Sequence, residues 1–197
     1  MDRPLTAKGA ATRARILAGA ADLVRRNGAA GTGLDDIRAA TATSKSQLFH
    51  YFPDGRVQLL AAVTRAEAEQ VLDDQRPHLD DLSTPESWRA WRDVVVTRYT
   101  VLGRHCPLGA LTGELGRTGP EAGEIVEDLL RRWHGLLADG VRALRRSGVG
   151  GDGGPPEAAA SVVLAAVQGG VALLRSTGDP VHLERAVDAA LEHIGVS

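Results

Sequence analysis

Apolar residues recur three and four positions apart along almost the whole chain, and this spacing constrains the fold more than any other feature. Those of the first periodic stretch fall on one helical face and are Ile16, Leu17, Ala20, Leu23 and Val24. No segment alternates apolar and polar residues over the length of a strand, and alanine and leucine far outnumber isoleucine and the aromatic residues. The spacing therefore predicts an all-α protein of about nine helices.

Capping and turn residues predict where these helices begin and end. Asn27-Gly28 supplies residues that tolerate the left-handed conformation at a helix end, and Ser44-x-x-Gln47 is a capping box. A second capping box is predicted at residues 83–86, and Thr32 is expected to cap a short second helix. The predicted helices cover about residues 6–27, 34–41, 45–51, 56–75, 85–104, 107–117, 121–147, 156–177 and 180–194.

Composition indicates an intracellular globular protein. With 43% hydrophobic residues among 197, the chain can bury a core. The single cysteine, Cys106, excludes an internal disulfide and fits a reducing cytoplasm. The longest apolar runs, such as residues 158–167, are shorter than the roughly 20 residues that span a bilayer, so we expect a cytoplasmic protein that does not cross a membrane.

The near-neutral net charge of −2 conceals an asymmetry between the two ends of the chain. Residues 1–60 hold nine lysines and arginines against five acidic residues, a balance of +4, whereas residues 61–197 hold 14 against 20, a balance of −6. A basic N-terminal segment favours contact between that segment and a polyanion. Chance variation of surface charge is the alternative explanation.

Three predicted helices within the first 52 residues, with a tight break before the third, match a helix-turn-helix plan. We predict a DNA-binding domain at residues 1–55, with the motif at about 33–52, and a second domain at 56–197. Lys45, Ser46 and Gln47 would project from the leading turn of the third helix, where they could donate to guanine and adenine edges. Phe49, His50 and Tyr51 follow, and Arg56 begins the next helix, where phosphate is favoured. An ordinary helical hairpin with a polar face is the alternative.

Residues 32–37, Thr-Gly-Leu-Asp-Asp-Ile, and residues 44–52, Ser-Lys-Ser-Gln-Leu-Phe-His-Tyr-Phe, resemble the DNA-binding domain of TetR-family repressors. The match covers about residues 8–62. The resemblance implies that Thr32, Ser44, Tyr51 and Arg56 contact phosphates. It also implies that Lys45, Ser46, Gln47 and His50 face bases or the adjacent backbone.

The turn before the third helix departs from the family pattern. Thr41-Ala42-Thr43-Ser44 stands where Ala-Gly-Val-Ser is usual, and Arg38 stands where a small residue is usual. Glycine adopts the turn conformation more easily than Ala42, and Thr43 replaces an apolar residue. We therefore expect a slightly altered and less stable turn.

The second domain is predicted to hold a small apolar or aromatic effector. Aromatic side chains are scarce in this chain, yet Trp88, Trp91, Tyr99 and Trp133 all lie here, where they could line a pocket or simply fill the core. Arg98, His105, Glu114 and Gln168 are candidate polar anchors. Residues 106–115, Cys-Pro-Leu-Gly-Ala-Leu-Thr-Gly-Glu-Leu, resemble the LmrA/YxaF-like subgroup, whose members repress efflux or oxygenase genes and release DNA on binding planar aromatic compounds. The full predicted pocket is Trp88, Trp91, Tyr99, Cys106, Leu111, Glu114, Trp133 and Gln168.

The last two helices, at about residues 156–194, carry small and apolar residues at close spacing, which predicts either a four-helix dimer interface or packing within the chain. A two-fold operator requires a two-fold protein, which favours the homodimer. The function favoured overall is a ligand-released repressor that binds a palindromic double-stranded DNA operator.

Two other classes of function are alternatives to a DNA-binding regulator. For a small enzyme, His105-Cys106 is the only nucleophile-like pair, and no third group to orient it is evident. No cofactor motif is present, and the histidines lack the spacing of metal ligands. A helical adaptor that does not bind DNA is the other alternative, and it predicts no salt-dependent DNA affinity.

Overall fold

The computed structural model describes residues 6–106, 109, 113, 119–149 and 154–197, and within these ranges all regular structure is helical. The eight α-helices in this part of the chain are α1 (Ala7–Asn27), α2 (Leu34–Ala40), α3 (Lys45–Tyr51), α4 (Arg56–Asp73), α5 (Pro85–Leu102), α6 (Pro120–Arg146), α7 (Pro156–Thr177) and α8 (Val181–His193). Two short 3-10 turns lie at His78–Asp80 and Gly103–His105. The predicted all-α fold is confirmed, with ends within about two residues of those expected. Of the helix predicted at 107–117, only residues 109 and 113 are described, and both are helical.

The chain forms two compact units. The first comprises Met1–Glu67 with Ala110–Val126, and the second comprises Ala68–Gly109 with Glu127–Ser197. Helices α4 and α6 each contribute residues to both units. These units are defined by how the chain packs. The predicted division into a DNA-binding domain at residues 1–55 and a second domain at residues 56–197 stays a prediction.

Local rules of helix capping account for the start and end of α1. The Thr6 hydroxyl accepts a hydrogen bond from the Gly9 N–H at 3.2 Å, and Gly28 follows the last residue with a φ of +74°. Ile16, Ala20 and Val24 are buried along one face, as the periodicity predicted.

The cap of α5 corrects one sequence prediction. The capping box is formed by Thr84 and Ser87, not by residues 83 and 86, because the Ser87 N–H donates to the Thr84 hydroxyl at 3.2 Å. Pro85 occupies the first helical position, where its missing N–H costs nothing.

The core of the second unit is built around tryptophans and a close helix pair. Trp88, Trp91 and Trp133 are fully buried. A Cβ added to Gly170 of α7 would lie only 2.6 Å from the Leu183 Cα of α8, so glycine is required where these helices approach each other. The buried apolar residues of α8 therefore pack within the protomer. Those that are buried are Leu183, Val187, Ala190 and Leu191.

Helix α7 leaves a stripe of small, uncharged residues at the surface of the protomer. The exposed positions recur at spacings of four and three and are Ala158, Val162, Ala165, Gly169, Ala172 and Ser176. We call this set the α7 stripe. By length and composition α7 could cross a membrane, since an 18-residue window of it has a mean hydropathy of 1.7. Of that window, 39% is buried inside the protein. The core helix of a soluble protein passes the same test, so this property of α7 is weak evidence for a membrane span.

Candidate functional site

Helices α2 and α3, with the turn at residues 41–44 between them, form the predicted helix-turn-helix. Ser44 caps α3, and its hydroxyl accepts from the Gln47 N–H at 3.1 Å. In return, the Gln47 side-chain Oε1 accepts from the Ser44 N–H at 3.2 Å. The predicted capping box is confirmed, and it fixes the direction in which α3 begins.

The exposed and buried faces of α3 separate as the sequence predicted. Leu48 is fully buried and Phe52, which follows the helix, is 1% exposed, so both anchor the motif in the first unit. The side chains exposed to solvent are Ser44, Lys45, Ser46, Gln47, Phe49 and His50, and Tyr51 is half-buried. The His50 and Tyr51 rings pack edge to face with their centroids 4.8 Å apart. The face therefore carries hydrogen-bond donors and a cation at its leading turn.

The turn at residues 41–44 has the altered backbone conformation that was expected from the alanine at position 42. Ala42 has a φ of +45°, a conformation that glycine adopts without strain and alanine does not. Thr41 and Thr43 are buried, and their hydroxyl oxygens lie 2.9 Å apart. The Thr41 hydroxyl donates to the Ile37 carbonyl at 2.7 Å, so the polar groups of this apolar environment are paired.

Arg15 is a residue of this region that the sequence reasoning missed. Its Nη1 donates to the Thr43 hydroxyl over 3.5 Å, which places an exposed cation of α1 beside the turn before α3. The two residues are 28 positions apart, so spacing within the motif could not reveal the contact. The excess of basic residues in the first 60 positions was the only signal.

Thr32 and Arg56 make contacts within the protein that the sequence did not predict. Gly33, and not Thr32, caps α2, and the Gly33 N–H donates to the Asp36 carboxylate at 2.9 Å. Thr32 is 1% exposed and its hydroxyl donates to the Gly28 carbonyl at 2.8 Å, so its side chain is not available to a phosphate.

The Arg56 side chain is half-buried and holds the loop before α2. Its Nε donates to the Thr32 carbonyl at 3.1 Å, and its Nη2 donates to the Ala29 carbonyl. A guanidinium that bridges two backbone carbonyls fixes the chain between α1 and α2. Arg56 therefore stabilises the motif, whatever further contact its remaining N–H groups make.

The aromatic residues predicted to line a pocket lie in the closed interior of the second unit. Trp88 and Trp91 pack edge to face with ring centroids 5.6 Å apart, and the Trp91 indole N–H donates to the Gln75 side chain at 2.8 Å. Trp133, Tyr99 and Cys106 are also buried, and Gln168 is half-buried. Burial raises the pKa of the Tyr99 hydroxyl well above its usual range, so Tyr99 is neutral at physiological pH. Leu111 and Glu114 lie outside the described residues.

Three surface cavities in the described part of the chain are lined by other side chains. One of about 510 Å³ includes Arg98, which was considered as an interior polar anchor. Arg98 instead donates to the Asp74 carboxylate at 2.7 Å near the surface. Among the predicted pocket residues that the structure describes, the three tryptophans are fully buried, and whether they line an effector pocket stays a prediction.

Comparison with known proteins identifies both parts of the chain. Residues 16–63 match the family described as bacterial regulatory proteins, tetR family. Residues 86–190, more than half of the chain, match the tetracyclin repressor-like C-terminal domain. These matches do not extend to the LmrA/YxaF-like subgroup, which stays a prediction.

Similar proteins agree with these matches. An uncharacterized HTH-type transcriptional regulator of Mycobacterium tuberculosis is 26% identical over 187 residues, which cover 87% of this chain and 88% of the relative. A TetR transcriptional regulator from Chloroflexus aurantiacus is 26% identical with a TM-score of 0.82, and the match covers 96% of each chain. The structure of SmeT in complex with triclosan has a TM-score of 0.71 at 21% identity, covers 92% of this chain and 90% of SmeT, and shows a similar fold.

Proposed function

Because the chain belongs to the TetR family of bacterial regulatory proteins, we propose that this DNA-binding transcriptional regulator is a ligand-released repressor. It binds a palindromic operator as a homodimer and dissociates when a small effector enters its C-terminal domain. Residues 1–55 act as the DNA-binding domain and residues 56–197 as the effector and dimerisation domain. A protein that binds a DNA operator and a small effector is expected to act in the cytoplasm. None of these roles requires a catalytic centre.

One observation carries the proposal: the leading turn of α3 is exposed, rich in donors and held in place by a capping box. Lys45, Ser46 and Gln47 are free to reach the major groove, while the buried Leu48 sets the depth at which the helix is held. The Gln47 Oε1 is shared with the Ser44 N–H, and its amide N–H groups remain available to a base acceptor. A pre-organised leading turn is what recognition of base edges requires.

The remaining residues of the motif divide between phosphate contact and positioning. Ser44 and Tyr51 are proposed to donate to phosphates, with His50 and Phe49 against bases or the adjacent backbone. Arg15, next to the turn, adds a cation. Thr32 contributes only through the loop that it stabilises, and Arg56 acts first by fixing that loop.

The α7 stripe supports the homodimer. Its six positions are small and uncharged, and Val162 and the neighbouring Leu173 are exposed to 41% and 47%. Two copies of such a stripe can pack closely, as in helix pairs with a repeat of seven residues. Helix α8 packs against α7 within the protomer. We propose that the exposed side of α8 extends the same interface. A two-fold dimer can present two α3 helices about 34–36 Å apart, the spacing of successive major grooves.

Effector release follows from two conformations of the dimer. The effector, proposed to be a planar aromatic compound as in the LmrA/YxaF-like subgroup, binds better to a conformation in which the α3 spacing does not fit the operator. It shifts the population only by its differential affinity for the two conformations. Helix α4, which has residues in both units, is the proposed lever. The complex of triclosan with SmeT, a protein of similar fold, supports an aromatic effector.

The proposal is tested by measuring binding of the purified full-length protein to the DNA upstream of its own gene, with and without aromatic compounds. We expect dimer binding to a two-fold site and release by at least one such compound. Binding by a monomer, or binding that no aromatic compound weakens, would contradict the repressor mechanism. No DNA binding at low salt would favour the adaptor alternative.

A further inference from the structure

The first half of α1 carries positive charge that no neighbouring carboxylate neutralises. Residues 6–21 include Lys8, Arg13 and Arg15 and no acidic residue. Among the residues that the structure describes, none of these three side chains forms an ion pair. This segment of α1 is therefore a cationic surface without a counter-charge in the described part of the chain.

Other arginines of the same unit show that ion pairs form where carboxylates are near. Arg25 Nη1, in the last turn of α1, lies 2.7 Å from Glu67 Oε1. Arg38 Nη1 of α2 lies 2.6 Å from Asp35 Oδ1. The uncompensated charge is thus a local property of the first half of α1, and not of every arginine in this unit.

Lys8 occupies a position where a positive charge is unfavourable. It lies in the first turn of α1, and the N-terminal end of a helix carries a partial positive charge that acidic residues would stabilise. The first turn of α1 contains no acidic residue, and the Lys8 side chain is exposed to solvent. An anion bound from outside the protein would remove this unfavourable interaction.

Helix α1 packs closely against the turn that precedes α3. Arg15 Nη1 donates to the Thr43 hydroxyl over 3.5 Å, and Thr43 directly precedes the residue that caps α3. One turn further along α1, a Cβ added to Gly19 would clash with Thr41 Cγ2, so there is no space between the helix and the turn. The exposed Arg15 is therefore held at a fixed place beside the leading end of α3.

The three cations of this segment do not face the same surroundings. Lys8 and Arg15 are exposed and lie seven residues apart, which places them on one face of α1 about 10 Å apart along its axis. Arg13 is half-buried, and its Cζ lies 5.3 Å from the centroid of the Phe52 ring, which follows α3. Arg13 therefore fixes α1 to α3 by a cation–π contact, while Lys8 and Arg15 face solvent.

We propose that Lys8 and Arg15 form a second DNA-contacting surface, which binds phosphates at the edge of the major groove that α3 enters. Arg15 uses one N–H for Thr43 and keeps the others for a phosphate next to the one proposed for Ser44. Such contacts fix the register of the protein on DNA and read no bases. This inference rests on the proposed function, since it adds a surface to the same DNA complex.

The salt dependence of DNA binding tests these contacts and does not require a known operator. Each phosphate contact contributes about 0.9 to the slope of log affinity against log salt concentration, and a dimer makes each contact twice. We expect Lys8→Gln and Arg15→Gln each to reduce the magnitude of this slope by about 2 between about 50 and 200 mM salt. Each should weaken binding about tenfold, equally for a random duplex and for DNA upstream of the protein's own gene.

The matched control is Arg146→Gln, which removes an exposed arginine from the second unit and should keep the wild-type slope. Arg15→Lys separates charge from the contact with Thr43, because it keeps the charge and loses the planar guanidinium, and it should restore most of the slope. If Arg15→Lys has the slope of Arg15→Gln, Arg15 acts only by holding the turn and the inference is wrong.

Two further outcomes distinguish failure of the inference from failure of the proposed function. If the wild type binds DNA and both glutamine variants of α1 keep its slope, or if Arg146→Gln reduces the slope as much as they do, the inference is overturned and the proposed function stands. If the wild type binds no DNA at low salt, the proposed function fails and this inference fails with it.

Discussion

The Arg56 guanidinium donates from Nε to the Thr32 backbone carbonyl over 3.1 Å. This bond joins the first residue of α4 to the loop that precedes α2, and the Ala29 carbonyl accepts a second bond from the same side chain. A residue that resembles a phosphate contact by its place in the family motif is therefore also part of the internal support of the helix-turn-helix.

Replacing Arg56 separates these two roles. Arg56→Lys keeps the positive charge but loses the planar fork that reaches two carbonyls, so we expect a loss of about 1 kcal/mol in the free energy of unfolding. Arg56→Ala should lose about 2 kcal/mol and weaken DNA binding for all sequences. Chemical denaturation and DNA titration measure both quantities. If Arg56→Lys matches the wild type in stability, the loop contacts contribute nothing and the phosphate role alone remains.

Gln47 is expected to specify sequence through its amide N–H groups. Gln47→Glu keeps an acceptor for the Ser44 N–H, and so preserves the capping box, but replaces the amide donors with a carboxylate that DNA repels. We predict unchanged Tm with a loss of operator affinity of at least tenfold. Lys45→Ala should lower the ratio of the affinity for operator DNA to the affinity for random DNA. Operator binding by both variants at the wild-type level would show that α3 does not contact the bases.

The turn before α3 carries strain that a single substitution should relieve. Ala42→Gly removes the Cβ from a residue with a φ of +45°, and we expect a gain of about 0.5–1 kcal/mol after the entropy cost of glycine is included. Ala39→Gly is the matched control, because Ala39 is an exposed residue within α2 and should lose about 1 kcal/mol. Denaturant titration of the two variants gives the comparison, and destabilisation by Ala42→Gly would show that this backbone conformation is not adopted.

The α7 stripe makes a prediction about the oligomeric state. Val162→Glu places a charge in the proposed interface twice, once from each protomer, and should weaken dimerisation about a hundredfold or more. Val101→Glu provides the control, since Val101 is 78% exposed on α5 and lies outside the stripe. Sedimentation analysis over a range of concentrations should find a monomer only for Val162→Glu. A stable dimer of that variant would place the interface elsewhere.

The helices and the exposed face of α3 were predictable because they depend on neighbours in sequence. The Ser44–Gln47 capping box spans four residues, and the burial of Leu48 follows from helical spacing. The strain at Ala42 was also predictable, because the absence of glycine is visible in the sequence.

Contacts between distant residues were not predictable. The bond from Arg56 to Thr32 joins residues 24 positions apart, and the contact of Arg15 with Thr43 joins residues 28 apart. Neither residue type reveals its partner, since arginine suits a phosphate and a backbone carbonyl equally well. In the same way, composition could not distinguish aromatic residues that fill the core, as Trp91 does, from those that line a pocket.

Binding to DNA upstream of the protein's own gene tests the central claim most directly. The affinity should be measured at several salt concentrations with random DNA as competitor, using the wild type and Gln47→Glu. We predict tight, sequence-selective binding by a dimer that weakens steeply as salt rises and is lost in the variant. Binding that is absent at low salt, or that is unaffected by Gln47→Glu, would contradict recognition of an operator by α3.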